Sequence, residues 1–327
     1  MLLQLPHRKI AVVALIVGLI GCNPVQQPTT NVNTATAPAK DELPSVVATT
    51  SIICDLTQQV AQETIALKCL VEPGKDPHVY QPTPSDRQAI ESANLILYAG
   101  YDFDANLIEL VKATNNPAVK EAVHEVAVPE PIMASEGKET EIVPDPHIWH
   151  DAQNGIRMVE TIRSNLVKLA PNNATLYNRN AQEITSELAQ IDNWIRSQIG
   201  TIDANRRKLV TTHDALGYYV KAYGLSFEGA LGGLSTEEAP TAARVSQLVK
   251  EIKKTGVPTI FAETTVNPRL IKAVARDAKV RVSEQELFAD SLGEKGSEGD
   301  TYQKMLVANT ETIVEGLGGS YTTFQPK

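Results

Sequence analysis

Twice along this chain strand-like segments alternate with helix-like ones, and one long stretch without Gly or Pro separates the two runs. In the first run Val46–Thr49, Ile65–Val71, Asn94–Tyr98 and His124–Val128 read as strands. Helical stretches fall near Ile52–Glu63, Ser85–Ser92 and Asp104–Lys112. In the second, Lys208–Thr212, Ser226–Ala230, Val257–Ala262 and Val280–Glu284 read as strands, with helices over Ala215–Tyr223, Ala242–Thr255, Pro268–Ala278 and Tyr302–Gly316. Strands separated by helices imply parallel sheets with helices on both faces. The separating stretch, Ala174–Ile199, carries Leu176, Ile184, Leu188, Ile191 and Ile195 near helical spacing. The expected fold is α/β with two lobes, 44–172 and 200–327, joined by a backbone helix over 173–199. Ligands in such open sheets sit beyond the carboxyl ends of strands, so the cleft between the lobes is where a site is expected.

The first residues stand apart from that pattern. His7, Arg8 and Lys9 precede the uncharged, largely apolar run Ile10–Ile20, which is the layout of a secretion signal. The run is shorter than the roughly 20 residues that span a bilayer. It ends in Leu19-Ile20-Gly21-Cys22, which resembles the bacterial lipobox and implies a signal over 1–21 and a lipid on Cys22. Residues 22–43, rich in Pro, Thr, Asn, Gln and Ala, read as a flexible tether, because they cannot bury enough surface to offset their ordering entropy. The folded body is therefore expected outside the cytoplasmic membrane, periplasmic or at the cell surface. There thiols tend to pair, so Cys54 and Cys69 are expected to form a disulfide, the alternative being two buried free thiols.

Charge narrows the partners. The chain has 39 Asp and Glu against 30 Lys and Arg, a formal −9, and losing Arg8 and Lys9 with the signal deepens this to −11. That balance argues against nucleic acid, which demands clustered Lys and Arg, and suits a cation.

Of the histidines beyond the signal, two occupy nearly the same setting: Asp76-Pro77-His78 and Asp145-Pro146-His147. Proline fixes the backbone ahead of the imidazole, and the Asp is placed to accept a hydrogen bond locally, as a metal site requires. His213 ends the strand Lys208–Thr212, and Asp290 follows a strand of the same lobe. Two histidines from the first lobe with a His and an Asp from the second could close a three-nitrogen, one-carboxylate site, a set that suits zinc. His124 and His150 read as structural. Glu263, at the end of Val257–Ala262, is a candidate acceptor for a ligand imidazole; Glu237 and Glu238 read as part of a solvated helix-capping loop.

The paired Asp-Pro-His turns, Thr212-His213-Asp214-Ala215, Phe288-Ala289-Asp290-Ser291-Leu292-Gly293 and Glu298-Gly299-Asp300-Thr301-Tyr302 together resemble the cluster A-I solute-binding proteins. These are the TroA/ZnuA-like zinc and manganese receptors of ABC importers. The resemblance runs from about Val46 onward. It implies two lobes on a rigid helix, metal ligands at His78, His147, His213 and Asp290, and a permease in the cytoplasmic membrane as partner. A monomer touching the membrane only through its lipid anchor is expected. Manganese-selective members tend to carry Glu where this chain has His213, and imidazole itself favours zinc. The segment Met133–Pro144 lacks the histidines that many zinc receptors carry there, which keeps manganese, or both ions, as the alternative. A secreted zinc hydrolase is the rival of another class, but the chain has no His-Glu-x-x-His stretch or nucleophile elbow. Zinc binding is expected to fade through the ordinary histidine range near ~6.5, since protonated imidazole cannot coordinate.

Overall fold

A computed structural model describes residues 43–135 and 142–326. The signal over 1–21, Cys22 and the tether up to residue 42 lie outside the described residues. No described helix is long and apolar enough to cross a membrane.

The first half builds a four-stranded sheet from β1 (Ser45–Ala48), β2 (Ala66–Cys69), β3 (Leu95–Tyr98) and β4 (Val119–Ala122), in the order β2-β1-β3-β4 and parallel throughout. Between these strands run α1 (Ser51–Ala61), α2 (Pro84–Ser92) and α3 (Ala105–Ala113). Local chemistry sets the helix starts. Thr50 caps α1, and Thr83 with Asp86 forms a reciprocal capping box ahead of Pro84 at the start of α2.

The expected strand at His124–Val128 is a helix instead, α4 (Val123–Ala127), and the strand lies just before it. β4 is a sheet edge with Val119 exposed and Lys120 and Glu121 half-buried, so it carries no apolar run. The apolar signal belongs to α4, which buries Val123, His124 and Ala127. A short antiparallel hairpin follows, β5 (Met133–Ser135) with β6 (Ile142–Pro144). The 18-residue α5 (Ala152–Leu169), to which the sequence reading assigns no element, packs along α6 (Ala174–Gly200). Its buried Met158, Val159, Ile162 and Leu166 carry the helical spacing.

The second half again alternates strands and helices, with its strands in two parallel pairs. β7 (Lys208–Thr211) pairs in parallel with β8 (Ser226–Ala230), after α7 (Gly217–Tyr223). Beyond α8 (Ala242–Thr255), β9 (Thr259–Ile260) pairs in parallel with β10 (Arg281–Val282) across α9 (Arg269–Ala278). Phe261 N donates to Val210 O at 2.9 Å and so joins β9 to β7. The last helix, α10 (Tyr302–Leu317), is capped by Thr301.

The 27-residue α6 links the lobes, and its Ile184, Leu188, Ile191 and Ile195 are buried in one core with β1, α1, α5 and α10. Gly155 in α5 lets Tyr302 approach: a Cβ there would overlap the tyrosine hydroxyl, which donates to Trp149 O at 2.5 Å.

Cys54 in α1 and Cys69 at the end of β2 are joined by a disulfide across 15 residues, with Cα atoms 5.7 Å apart. A loop of this length corresponds to about 3 kcal/mol in the chain-entropy account. Reduction is expected to lower unfolding stability by ~2–3 kcal/mol, read as a shift in the denaturant midpoint; coincident curves with and without reductant would contradict it.

Candidate metal centre

Four side chains from four different segments meet in a space with almost no access to water. His78, His147, His213 and Asp290 are between 0% and 4% exposed, and one nitrogen or oxygen from each lies within 4.8 Å of the others. Asp290 Oδ1 is 3.1 Å from His213 Nε2, 3.4 Å from His147 Nε2 and 3.9 Å from His78 Nε2. Four ligands about 2.0–2.1 Å from a tetrahedral zinc stand about 3.3–3.4 Å from one another. The spacings straddle that edge.

Each donor is aimed by its neighbours. Asp145 Oδ1 accepts from both the backbone N–H and the Nδ1 of His147, each at 2.9 Å, as the Asp-Pro-His turn suggests. A carboxylate can only accept, so the ring proton sits on Nδ1 and Nε2 faces the cluster. The other turn differs. Asp76 Oδ1 accepts His78 N at 3.0 Å, while its Oδ2 accepts Thr236 Oγ1 at 2.7 Å from the second lobe. The His78 ring packs edge-on against Phe103, with centroids 4.8 Å apart.

Glu263 does for His213 what Asp145 does for His147. Its Oε2 accepts from His213 Nδ1, and its Oε1 accepts the backbone N–H groups of Thr212 (2.9 Å) and His213 (3.1 Å). Glu263 is fully buried just past β9, beside Leu287 of the segment that leads to Asp290. Thr265 Oγ1 donates to Asp290 Oδ2 at 3.4 Å.

Electrostatics follow from burial. Desolvation alone would raise Asp290, but His213 and the hydrogen bonds from His147 and His213 outweigh it and hold the carboxyl well below its usual range. Burial would lower His147; its hydrogen bonds to Asp145 and Asp290 overcome this and raise it to about 9. His213 is likewise penalised by burial yet raised well above the ordinary value by the charges of Asp290 and Glu263. His78 is pushed down to about 3 by desolvation, which Asp290 only partly offsets. Nε2 of His78 is buried with no hydrogen-bond partner, and Nε2 of His147 has only Asp290 Oδ1 at 3.4 Å, so the arrangement asks for a cation at its centre.

His124 and His150 are both buried outside the cluster. His124 lies tilted beside Phe103 and Trp149, and His150 Nε2 bonds Ala289 O at 2.9 Å. Glu237 and Glu238 are exposed, and the cap of α8 is Thr241, whose Oγ1 accepts Arg244 N at 3.1 Å. Sequence reasoning passes over Thr236, although it ties this loop to Asp76. It also passes over Trp149 and Ser51, which hold the backbone around Asp290. Nothing marks these residues in the sequence beyond the nearness of Trp149 to His147.

A two-lobed α/β protein with a connecting helix and a buried pocket of three imidazoles and one carboxylate has the architecture of a metal-binding solute receptor. Residues 46–316 match the family described as zinc-uptake complex component A, periplasmic, or ZnuA, and the chain belongs to that family. It is 35% identical over 282 residues to a manganese ABC transporter substrate-binding lipoprotein, PsaA, of Streptococcus mitis, covering 83% of this chain and 88% of that one. A metal ABC transporter substrate-binding lipoprotein of Lactococcus lactis is 32% identical over 307 residues, covering 93% and 95%. Among solved structures, the periplasmic zinc-binding protein TroA of Treponema pallidum superposes with a TM-score of 0.78 at 31% identity, over 84% of this chain and 99% of that one.

The raised imidazoles move the expected pH window upward from the histidine range near 6.5. In the metal-free protein His147 keeps its proton up to about pH 9, and a cation must displace it. Zinc affinity is expected to keep climbing from pH 7 to 9, and calorimetry in buffers of different ionisation enthalpy should record proton release; a plateau above pH 7 would contradict this. The same shift stabilises the metal-free fold below the unfolded value of about 6.5, and the contribution is lost as pH rises through about 9. For Glu263→Ala the expectation is a ~10–100-fold loss of zinc affinity, with Glu263→Gln losing less because it keeps an acceptor oxygen for the His213 ring. Unchanged chelator-competition curves for Glu263→Ala would remove its orienting role.

Proposed function

We propose that this chain is an extracytoplasmic receptor that binds zinc through His78, His147, His213 and Asp290 and hands it to an ABC importer. The observation that carries the reading is the donor set: three imidazole nitrogens and one carboxylate oxygen, all buried, with one ligand atom from each within 4.8 Å of the others. Tetrahedral sites of N donors with one O suit zinc, whereas manganese prefers oxygen ligands and sits lowest in the affinity order. The supporting resemblance is to proteins named as substrate-binding components of metal ABC transporters. The partner is then a permease in the cytoplasmic membrane, reached by a monomer whose signal over 1–21 is removed and whose Cys22 carries the lipid, on the tether 22–43. Lobes at 44–172 and 200–327 are joined by the rigid helix over 173–199, which allows only small lobe motion on release.

Four protein donors also set this reading against the hydrolase. A catalytic zinc keeps a coordination position for water, with a general base nearby. Here the base candidate, Glu263, is already bound to His213 and two backbone N–H groups.

Manganese is the second reading, because the relative of Streptococcus mitis is named for manganese. Metal analysis of protein purified without chelator, followed by competition between the two ions, separates them. Zinc is expected to displace manganese, and His213→Ala to weaken zinc binding at least tenfold, with one neutral donor gone. Manganese bound more tightly than zinc overturns the choice of metal; unchanged zinc affinity in His213→Ala overturns the ligand set.

A further inference from the structure

Asp290 belongs by sequence to the second half of the chain, yet both of its peptide neighbours are held by the first half. On the N-terminal side the Ala289 carbonyl accepts from Trp149 Nε1 at 3.0 Å and from His150 Nε2 at 2.9 Å. On the C-terminal side Ser51 Oγ accepts Leu292 N at 3.0 Å and lies 3.1 Å from Ser291 Oγ. Trp149, His150, Ser51 and Ser291 are at most 3% exposed, so water does not compete for these bonds. The turn that supplies two of the donors, Ile148–His150, follows directly on His147. It is itself anchored, since Trp149 O accepts the Tyr302 hydroxyl at 2.5 Å and Ile148 O accepts Asn154 Nδ2 at 2.9 Å. One short turn therefore delivers one of the four donors and fixes the position of another.

We propose that Trp149, His150 and Ser51 are specificity-determining positioning residues, which pin the backbone on both sides of Asp290 and thereby favour zinc over manganese. The proposal rests on the metal-receptor reading above. Asp290 supplies the only oxygen of the four donors, and manganese is best served by several oxygens in a six-coordinate shell. To satisfy it, the carboxylate would have to withdraw from its short spacing to the imidazoles and offer both oxygens. The four hydrogen bonds to Ala289, Ser291 and Leu292 oppose that displacement. Releasing them relaxes the spacing, which costs a tetrahedral ion its fit and costs a larger, oxygen-seeking ion little.

The test uses metal-free protein and chelator competition with zinc and with manganese, in wild type and in Ser51→Ala, Trp149→Phe, His150→Phe and His150→Gln. Thermal unfolding of each metal-free variant establishes that it is folded, and Ser51→Ala, which removes one hydroxyl, keeps the test open if an aromatic replacement does not fold. The expected result is a loss of zinc affinity of about tenfold or more with manganese affinity little changed. The ratio of the two should therefore fall in Ser51→Ala, Trp149→Phe and His150→Phe. His150→Gln, which keeps an N–H donor, should retain more of the ratio than His150→Phe. Equal losses for both ions, or no loss for either, overturn the proposal while wild-type binding stands. Wild-type protein that binds neither ion overturns the receptor reading and this proposal with it.

Discussion

One carboxylate taken wholly out of water organises the centre of this molecule. Asp290 is fully buried, and an uncompensated buried anion carries a desolvation penalty of several kcal/mol. The structure meets that demand with imidazoles, whose Nε2 atoms converge on Oδ1 from three directions. Without a metal, the raised proton affinities of His147 and His213 supply the positive charge. With a metal, the ion supplies it and the protons leave. The cluster thus has two compensated states, and metal capture is an exchange of protons for a cation at an anion that stays charged in both.

Keeping such a cluster aimed is a matter of the groups behind it. His147 and His213 arrive on unrelated elements, a proline turn and a strand end, yet each is oriented by a buried carboxylate on Nδ1, Asp145 in one case and Glu263 in the other. The two Asp-Pro-His turns look equivalent in sequence and are not equivalent in space. Asp145 spends both contacts on its own histidine, whereas Asp76 turns one oxygen across the cleft to Thr236. The first turn therefore joins the lobes as well as presenting His78, and the second fixes a ring.

Much of this was legible in the chain because the signals are local. Prolines ahead of His78 and His147, the strand leading into His213, and the Gly- and Pro-free helix through Leu188 and Ile191 each state their role within a few residues. What was not legible depends on tertiary neighbours. The edge strand Val119–Ala122 has no apolar face to advertise it, so the apolar residues of Val123–Ala127 drew the strand assignment to themselves. His150 reads as an idle neighbour of His147 until Ala289 comes up against it from 139 residues away. Ser51 reads as a helix-start serine until Leu292 and Ser291 reach it across a separation of about 240 residues. No local pattern encodes such meetings. They arise when two sheets present their strand ends to one cleft.

The hydrogen bonds divide the donors unequally between the lobes. His78 and His147 lie in the first lobe, and the backbone around Asp290 is tied there by Trp149, His150 and Ser51. His213 is held by Glu263 and the end of β7 in the second lobe, where β7, β9 and β10 share a separate apolar core of Val210, Ile260 and Ala262. Asp290 keeps a foothold on that side as well, through Thr265 and the pairing of Leu287 with Glu263. Leu287 N donates to Ala262 O at 2.8 Å, and Asn309 bonds both the N–H and the carbonyl of Phe288 at 2.8 Å, so the segment that carries Asp290 is fixed from both lobes. The 3.1 Å contact between His213 and Asp290 is the shortest that the carboxylate makes to an imidazole of the cluster. A cation lying between those two atoms takes the place of the proton that His213 otherwise shares with Asp290.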